Sequence, residues 1–113
     1  MRFPGDTNLA CLLLLTGCVV QSPLHTARES GFDVESVTSE QFQHVIARRP
    51  GTDGAGPVHV YIEGDGVPWF AGVQPSRNPT PRNALALRLA ALDDNEVIYV
   101  GRPCYFGHHR DDG

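Results

Sequence analysis

Apolar and polar residues change their spacing several times along this chain, and each change marks an expected element. Residues 8 to 20, NLACLLLLTGCVV, form one nearly unbroken apolar run. Residues 20 to 31, VQSPLHTARESG, are polar and broken by proline and glycine, which predicts a tether with little structure. Phe32, Val34 and Val37 alternate with acidic and polar residues and predict a short strand. After the turn-like Thr38, Ser39 and Glu40, the segment FQHVIAR, Phe42 to Arg48, predicts a second. RPGTDGAGP, residues 49 to 57, is a loop by its glycines and prolines. VHVYI, Val58 to Ile62, is β-branched and aromatic and is the clearest strand; it runs into the glycine-bounded turn Glu63, Gly64, Asp65, Gly66. Thr80 followed by Pro81 predicts a helix start, since a threonine hydroxyl caps amides and proline at the first position loses no hydrogen bond. That helix is expected to reach Leu92, with Leu85, Leu89 and Leu92 on the face that packs on a sheet and alanines allowing close approach. VIYV, Val97 to Val100, is a continuous apolar strand of the kind covered on both faces, so strand, loop, helix and strand make a βαβ unit.

Composition narrows the function classes. With 41% apolar and 19% charged residues the chain is ordinary globular material for no more than one small domain. Its net charge is −4 and its nine basic residues, all arginine, form no block, which argues against a nucleic-acid surface. No cofactor motif is present.

The apolar run at residues 8 to 20 is the length of a signal-peptide core and too short to span a bilayer. Arg2 precedes it, and Leu15, Thr16, Gly17 and Cys18 close it. This tetrad resembles the lipobox of bacterial lipoproteins, in which small residues admit the signal peptidase and the cysteine thiol takes a diacylglyceryl group. The resemblance implies a signal peptide over residues 1–17, lipidation of Cys18, and a membrane partner held through that lipid. Val19 in place of Asp implies sorting to the outer membrane, facing the periplasm. Cys11 leaves with the signal, so Cys104 is then a lone thiol in an exported chain, with a disulfide to a missing partner and a buried free thiol as the open alternatives.

YIEGDGVPW, NPTPRNALALRLAAL and VIYVGRPC, in that order over residues 58 to 106, resemble a group of proteobacterial α/β-hydrolase lipoproteins. The resemblance implies an α/β fold with a partial hydrolase-like sheet of about four or five strands and one main helix, an incomplete domain over residues 32–113. It also implies that backbone amides of Gly64, Asp65 and Gly66 sit where such enzymes build part of the oxyanion hole, with a small acyl or ester ligand as partner. The alternative for these three residues is a simple tight turn.

No Gly-x-Ser-x-Gly occurs. Ser22, Ser30, Ser36, Ser39 and Ser76 lie in polar or turn contexts, and the acid and histidine that follow the nucleophile in this fold are absent with it. The chain is therefore expected to be an inactive, shortened relative of a serine hydrolase whose last strand, Val97 to Val100, leaves an edge and an apolar face open. The alternative is a small non-enzymatic envelope lipoprotein that binds a protein partner. His108, His109, Asp111 and Asp112 are metal ligands by type, but a polar terminal cluster without a second pair of ligands predicts no metal site. His44 and His59 alternate with apolar residues and are expected to face outward or sit half-buried on strands, without a catalytic role. Trp69 and Phe70 are expected to close the small core, or else to line a substrate pocket.

Overall fold

The computed structural model describes residues 21–108. The signal segment, Cys11, Cys18, His109, Asp111 and Asp112 lie outside the described residues.

The strand-forming residues behave as their side chains dictate. β1 (Asp33–Thr38) and β2 (Gln43–Arg49) pair antiparallel across a turn in which both the amide and the hydroxyl of Ser39 donate to the Phe42 carbonyl. β3 (Val58–Ile62) is followed by a short hairpin, β4 (Trp69–Phe70) and β5 (Gln74–Pro75), then by the helix α2 (Leu85–Ala91) and β6 (Glu96–Val100). β3 and β6 pair in parallel, Tyr61 opposite Tyr99, so the expected βαβ crossover is present. The sheet order is β1-β2-β6-β3, with β2 antiparallel to β6. The described residues form a small mixed α/β domain with a four-stranded sheet and two α-helices, the other being α1 (Pro23–Glu29).

Several expectations are corrected. Part of the polar tether is a helix: Pro23 stands at its start, and Ala27 and then Phe32 are buried against the sheet. α2 starts after Ala84 rather than at Thr80, because Thr80 is engaged elsewhere, its hydroxyl donating to Asn78 Oδ1 and accepting from the Phe106 amide. The face of α2 is also reversed. Ala84, Leu87 and Ala90 pack on the sheet, while Leu85, Leu89 and Leu92 remain 57%, 49% and 81% exposed. Alanines allow the close approach, and the leucines are left outside. β6 is not an open edge: it lies between β2 and β3, and β1 and β3 are the edge strands. Nor is β6 covered on both faces. Val97 and Tyr99 are fully buried under the helices, whereas Ile98 and Val100 are half-buried on the other side.

β3 has an inverted polarity. His59, Tyr61 and Glu63 share the helix side, while Val58, Val60 and Ile62 face outward and are exposed. The three polar side chains are satisfied by α2 and its ends. His59 Nδ1 lies 2.5 Å and Tyr61 Oη 2.7 Å from Asp93 Oδ2, just past the helix, and Asp93 Oδ1 accepts the Asn95 amide. Arg49, stacked 4.9 Å from the centre of the Phe32 ring, donates to the last carbonyls of α2, those of Ala90 and Ala91, and to that of Asp93. A cation is thus held at the negative end of the helix dipole.

Asp93 is held well below the usual carboxylate range, first by the hydrogen bond from His59 and then by those from Asn95 and Tyr61. Because its folded-state pKa is depressed, its contribution is present above the unfolded value of about 4 and is lost as pH falls toward the folded value. Asp93→Asn is therefore expected to lower Tm at neutral pH, with the gap from the parent closing as melting is repeated below about pH 4. A gap unchanged over that range would show that the charge of Asp93 does not matter.

Candidate functional site

The carboxyl ends of the parallel pair β3 and β6 are the place where an α/β sheet of this kind offers a crevice. Two loops leave there side by side, Glu63 to Gly66 and Gly101 to Gly107, and they are tied to one another. Tyr105 Oη donates to the Gly64 carbonyl, Arg102 pairs with Asp65, and the Glu63 amide donates to the Val100 carbonyl at 3.2 Å.

Glu63 is the organiser of this end, and nothing beyond its membership of the His59, Tyr61, Glu63 alternation marks it in the sequence. It is buried. Its Oε1 accepts from the Gly64 amide at 3.2 Å and from the Ala86 amide at 3.4 Å; its Oε2 accepts from Tyr99 Oη at 3.2 Å. The Ala86 amide belongs to the first turn of α2, whose Ala84 cap residue has no side-chain acceptor. A carboxylate from the end of β3 thus does the work of the missing cap and complements the positive end of the helix dipole. Burial, reinforced by the Glu63 carboxylate, pushes the Tyr99 hydroxyl far above its ordinary range.

Among the three residues of the candidate oxyanion loop, Gly64, Asp65 and Gly66 differ sharply. The Gly64 amide is taken by Glu63 and its carbonyl by Tyr105. The amides of Asp65 and Gly66 donate to no atom of the described residues, and both residues are exposed. Gly66 has φ of +59°, and a Cβ there would sit 1.9 Å from the Pro79 carbonyl oxygen and 3.0 Å from Tyr105 Oη. The loop is held against Pro79 by the Val67 amide, which donates to the same carbonyl at 2.9 Å. Glycine is required here by both conformation and space. A methyl group added at Gly64 would meet nothing within 4 Å.

No family model, no curated protein and no solved structure matches this chain. The functional reading therefore rests on the fold and the side chains.

The remaining candidates fall apart spatially. Among the described serines, Ser22 and Ser30 flank α1, Ser36 lies on β1, Ser39 closes the β1–β2 turn, and the Ser76 amide donates to the Pro68 carbonyl. None stands in a strand-to-helix elbow. His44 Nδ1 lies 3.3 Å from the Gly101 carbonyl oxygen, and His59 is committed to Asp93. Cys104 is a partly exposed free thiol with φ of +69°, at the start of the short 3-10 turn Tyr105–Gly107. Among the described residues no group of three His, Cys, Asp or Glu side chains is placed to hold a metal. Trp69 and Phe70 do not close the core; they lie exposed on β4.

Proposed function

We propose that this chain is a lipid-anchored, exported domain of serine-hydrolase type that supplies the oxyanion side of such a site and no nucleophile. Cys18 is its lipid attachment point, and the periplasmic side of the outer membrane its location. The observation that carries the reading is the pair of amides at Asp65 and Gly66. They stand in a glycine-dependent loop after a parallel strand and ahead of a sheet-covering helix, the position at which α/β-hydrolases place an oxyanion donor. The residues present contain no Gly-x-Ser-x-Gly, so no acyl-enzyme chemistry is assigned to them.

Two measurements test this. Titration with a short alkyl phosphonate, an anion shaped like a tetrahedral acyl intermediate, is expected to shift the amide resonances of Asp65 and Gly66 above all others; unshifted amides refute the oxyanion assignment. Hydrolysis of a p-nitrophenyl ester is expected to run no faster than in buffer. For the anchor, mass analysis of the N-terminal peptide is expected to find an acylated cysteine at position 18, abolished in Cys18→Ser.

The second reading, a non-enzymatic envelope lipoprotein that binds a protein partner, draws on a different observation. Gly64 and Asp65 are largely occupied by contacts within the domain, with Glu63, Tyr105 and Arg102, as in a turn that serves structure alone. Phosphonate titration separates the two readings.

A further inference from the structure

The chain carries thirteen acidic residues, yet none of them falls between Gly66 and Leu92. That stretch holds three arginines, Arg77, Arg82 and Arg88, all exposed, and none forms an ion pair among the described residues. In a protein of net charge −4 this is a strong local asymmetry.

The same stretch contains the most exposed apolar side chains. In the β4–β5 hairpin Trp69 is 55%, Phe70 71% and Val73 81% exposed. The turn passes through Ala71 and Gly72, both at positive φ, so the chain reverses sharply and holds Phe70 and Val73 at the tip. The hairpin base is fixed: the Val67 amide donates to the Pro79 carbonyl and the Ser76 amide to the Pro68 carbonyl. Farther along, Leu85, Leu89 and Leu92 recur on the outward face of α2 with Arg88 beside them. Aromatic and aliphatic side chains with arginines, and without acids, are the composition that lies in a bilayer interface.

Covalent geometry adds a constraint. α1 begins at Pro23, five residues after Cys18, so a lipid on Cys18 holds the start of that helix within about 18 Å of the bilayer, however the intervening residues run. α1 packs beside α2, with Pro23, Thr26 and Ala27 meeting Arg82, Ala84 and Leu87 across a small cleft. α1 and the neighbouring α2 are thereby kept close to the membrane. The open face of β3, with Val58, Val60 and Ile62, is also apolar, but it lies across the sheet from the helices and carries no arginine on that strand.

From this combination we infer that the β4–β5 hairpin and the outward face of α2 form a second, peripheral membrane contact, with the apolar side chains entering the interface and Arg77, Arg82 and Arg88 meeting anionic headgroups. The inference rests on the proposed lipidation of Cys18 and adds to it an orientation: the body lies on the bilayer instead of hanging free from its lipid. The two signals together suit stable attachment, since a polybasic or apolar surface supplements an acyl anchor.

Trp69 is the only tryptophan in the chain and reports directly. The acylated protein is reconstituted into vesicles of phosphatidylethanolamine and phosphatidylglycerol, with and without lipids brominated on their acyl chains. The expected result is a blue-shifted Trp69 emission that brominated lipid quenches. Both effects are expected to be lost in Phe70→Ser/Val73→Ser and weakened in Leu85→Ser/Leu89→Ser, surface changes that leave the core intact. Arg77→Gln/Arg82→Gln/Arg88→Gln is expected to remove the preference for phosphatidylglycerol. Mass analysis of the same sample reads the acyl group on Cys18. If Cys18 is acylated and Trp69 emission is neither shifted nor quenched, the peripheral contact is wrong and the lipid anchor stands. If Cys18 carries no acyl group, the anchor reading fails and the inference falls with it.

Discussion

Gly66→Ala is expected to be among the most damaging single substitutions in the described domain. The added methyl would meet the Pro79 carbonyl oxygen at 1.9 Å, a backbone atom that cannot rotate away, and the residue sits at φ of +59°, where a side chain is strained. Left-handed strain and overpacking each cost on the order of 1–2 kcal/mol, so a loss of about 2–4 kcal/mol is expected. For a domain of this size that lowers Tm by roughly 10–20 °C. Gly64→Ala is the control: it has open space and no left-handed backbone, and it is expected to melt within a few degrees of the parent. Equal Tm values for the two variants, measured by calorimetry, would refute the account of the loop.

Removal of the Glu63 carboxylate comes next. In Glu63→Ala the Tyr99 hydroxyl, the Gly64 amide and the Ala86 amide all lose their acceptor; Tyr99 is fully buried, whereas Gly64 is exposed and its amide can turn to solvent. A stranded buried group costs about 1–3 kcal/mol, and the lost helix cap about 1 more, so a total of about 2–4 kcal/mol is expected after partial relaxation. Glu63→Gln keeps one carbonyl oxygen for the two amides and offers its amide nitrogen to Tyr99 Oη but takes the acceptor from the buried Tyr99 O–H, so it is expected to cost about 1–2 kcal/mol, less than Glu63→Ala. Amide exchange at Ala86 reads the cap directly: it is expected to speed up in Glu63→Ala and to change little in Glu63→Gln. Fast exchange in both variants would mean that the charge itself, acting on the helix dipole, holds the turn.

Which features were legible from the residues follows from how local their causes are. VHVYI and VIYV announce strands through their own side chains, and both strands stand where expected, β3 to the residue. The glycine-rich 49–57 segment and the βαβ order were legible for the same reason. α2 was harder, because its start is decided by distant partners: Thr80 could cap a helix, but in the folded chain its hydroxyl serves Asn78 and the Phe106 amide. The leucine stripe misled because periodicity gives a face without saying which way it points, and the alanines of the opposite face fit the flat sheet better. α1 was missed because a seven-residue helix with proline at its start has the composition of a linker. In the candidate site, Gly64, Asp65 and Gly66 were legible as a loop, while Glu63, which fixes that loop to α2 and to Tyr99, was hidden in the turn reading. The His59, Tyr61, Glu63 alternation was the available signal: three polar residues of one parity on a strand whose other parity is wholly aliphatic.

The sheet order β1-β2-β6-β3 also sets a timetable. β6, the last strand among the described residues, is the one that joins the β1–β2 hairpin to β3; those two parts share no strand pairing until it arrives. As the chain emerges from a ribosome, only the local hairpins β1–β2 and β4–β5 can close early, and the four-stranded sheet waits for residue 100 before its halves can meet. Chains ending ahead of Glu96 should therefore stay open however long they are given. For a protein proposed to be exported, such a late keystone keeps the body open until synthesis of the sheet is complete.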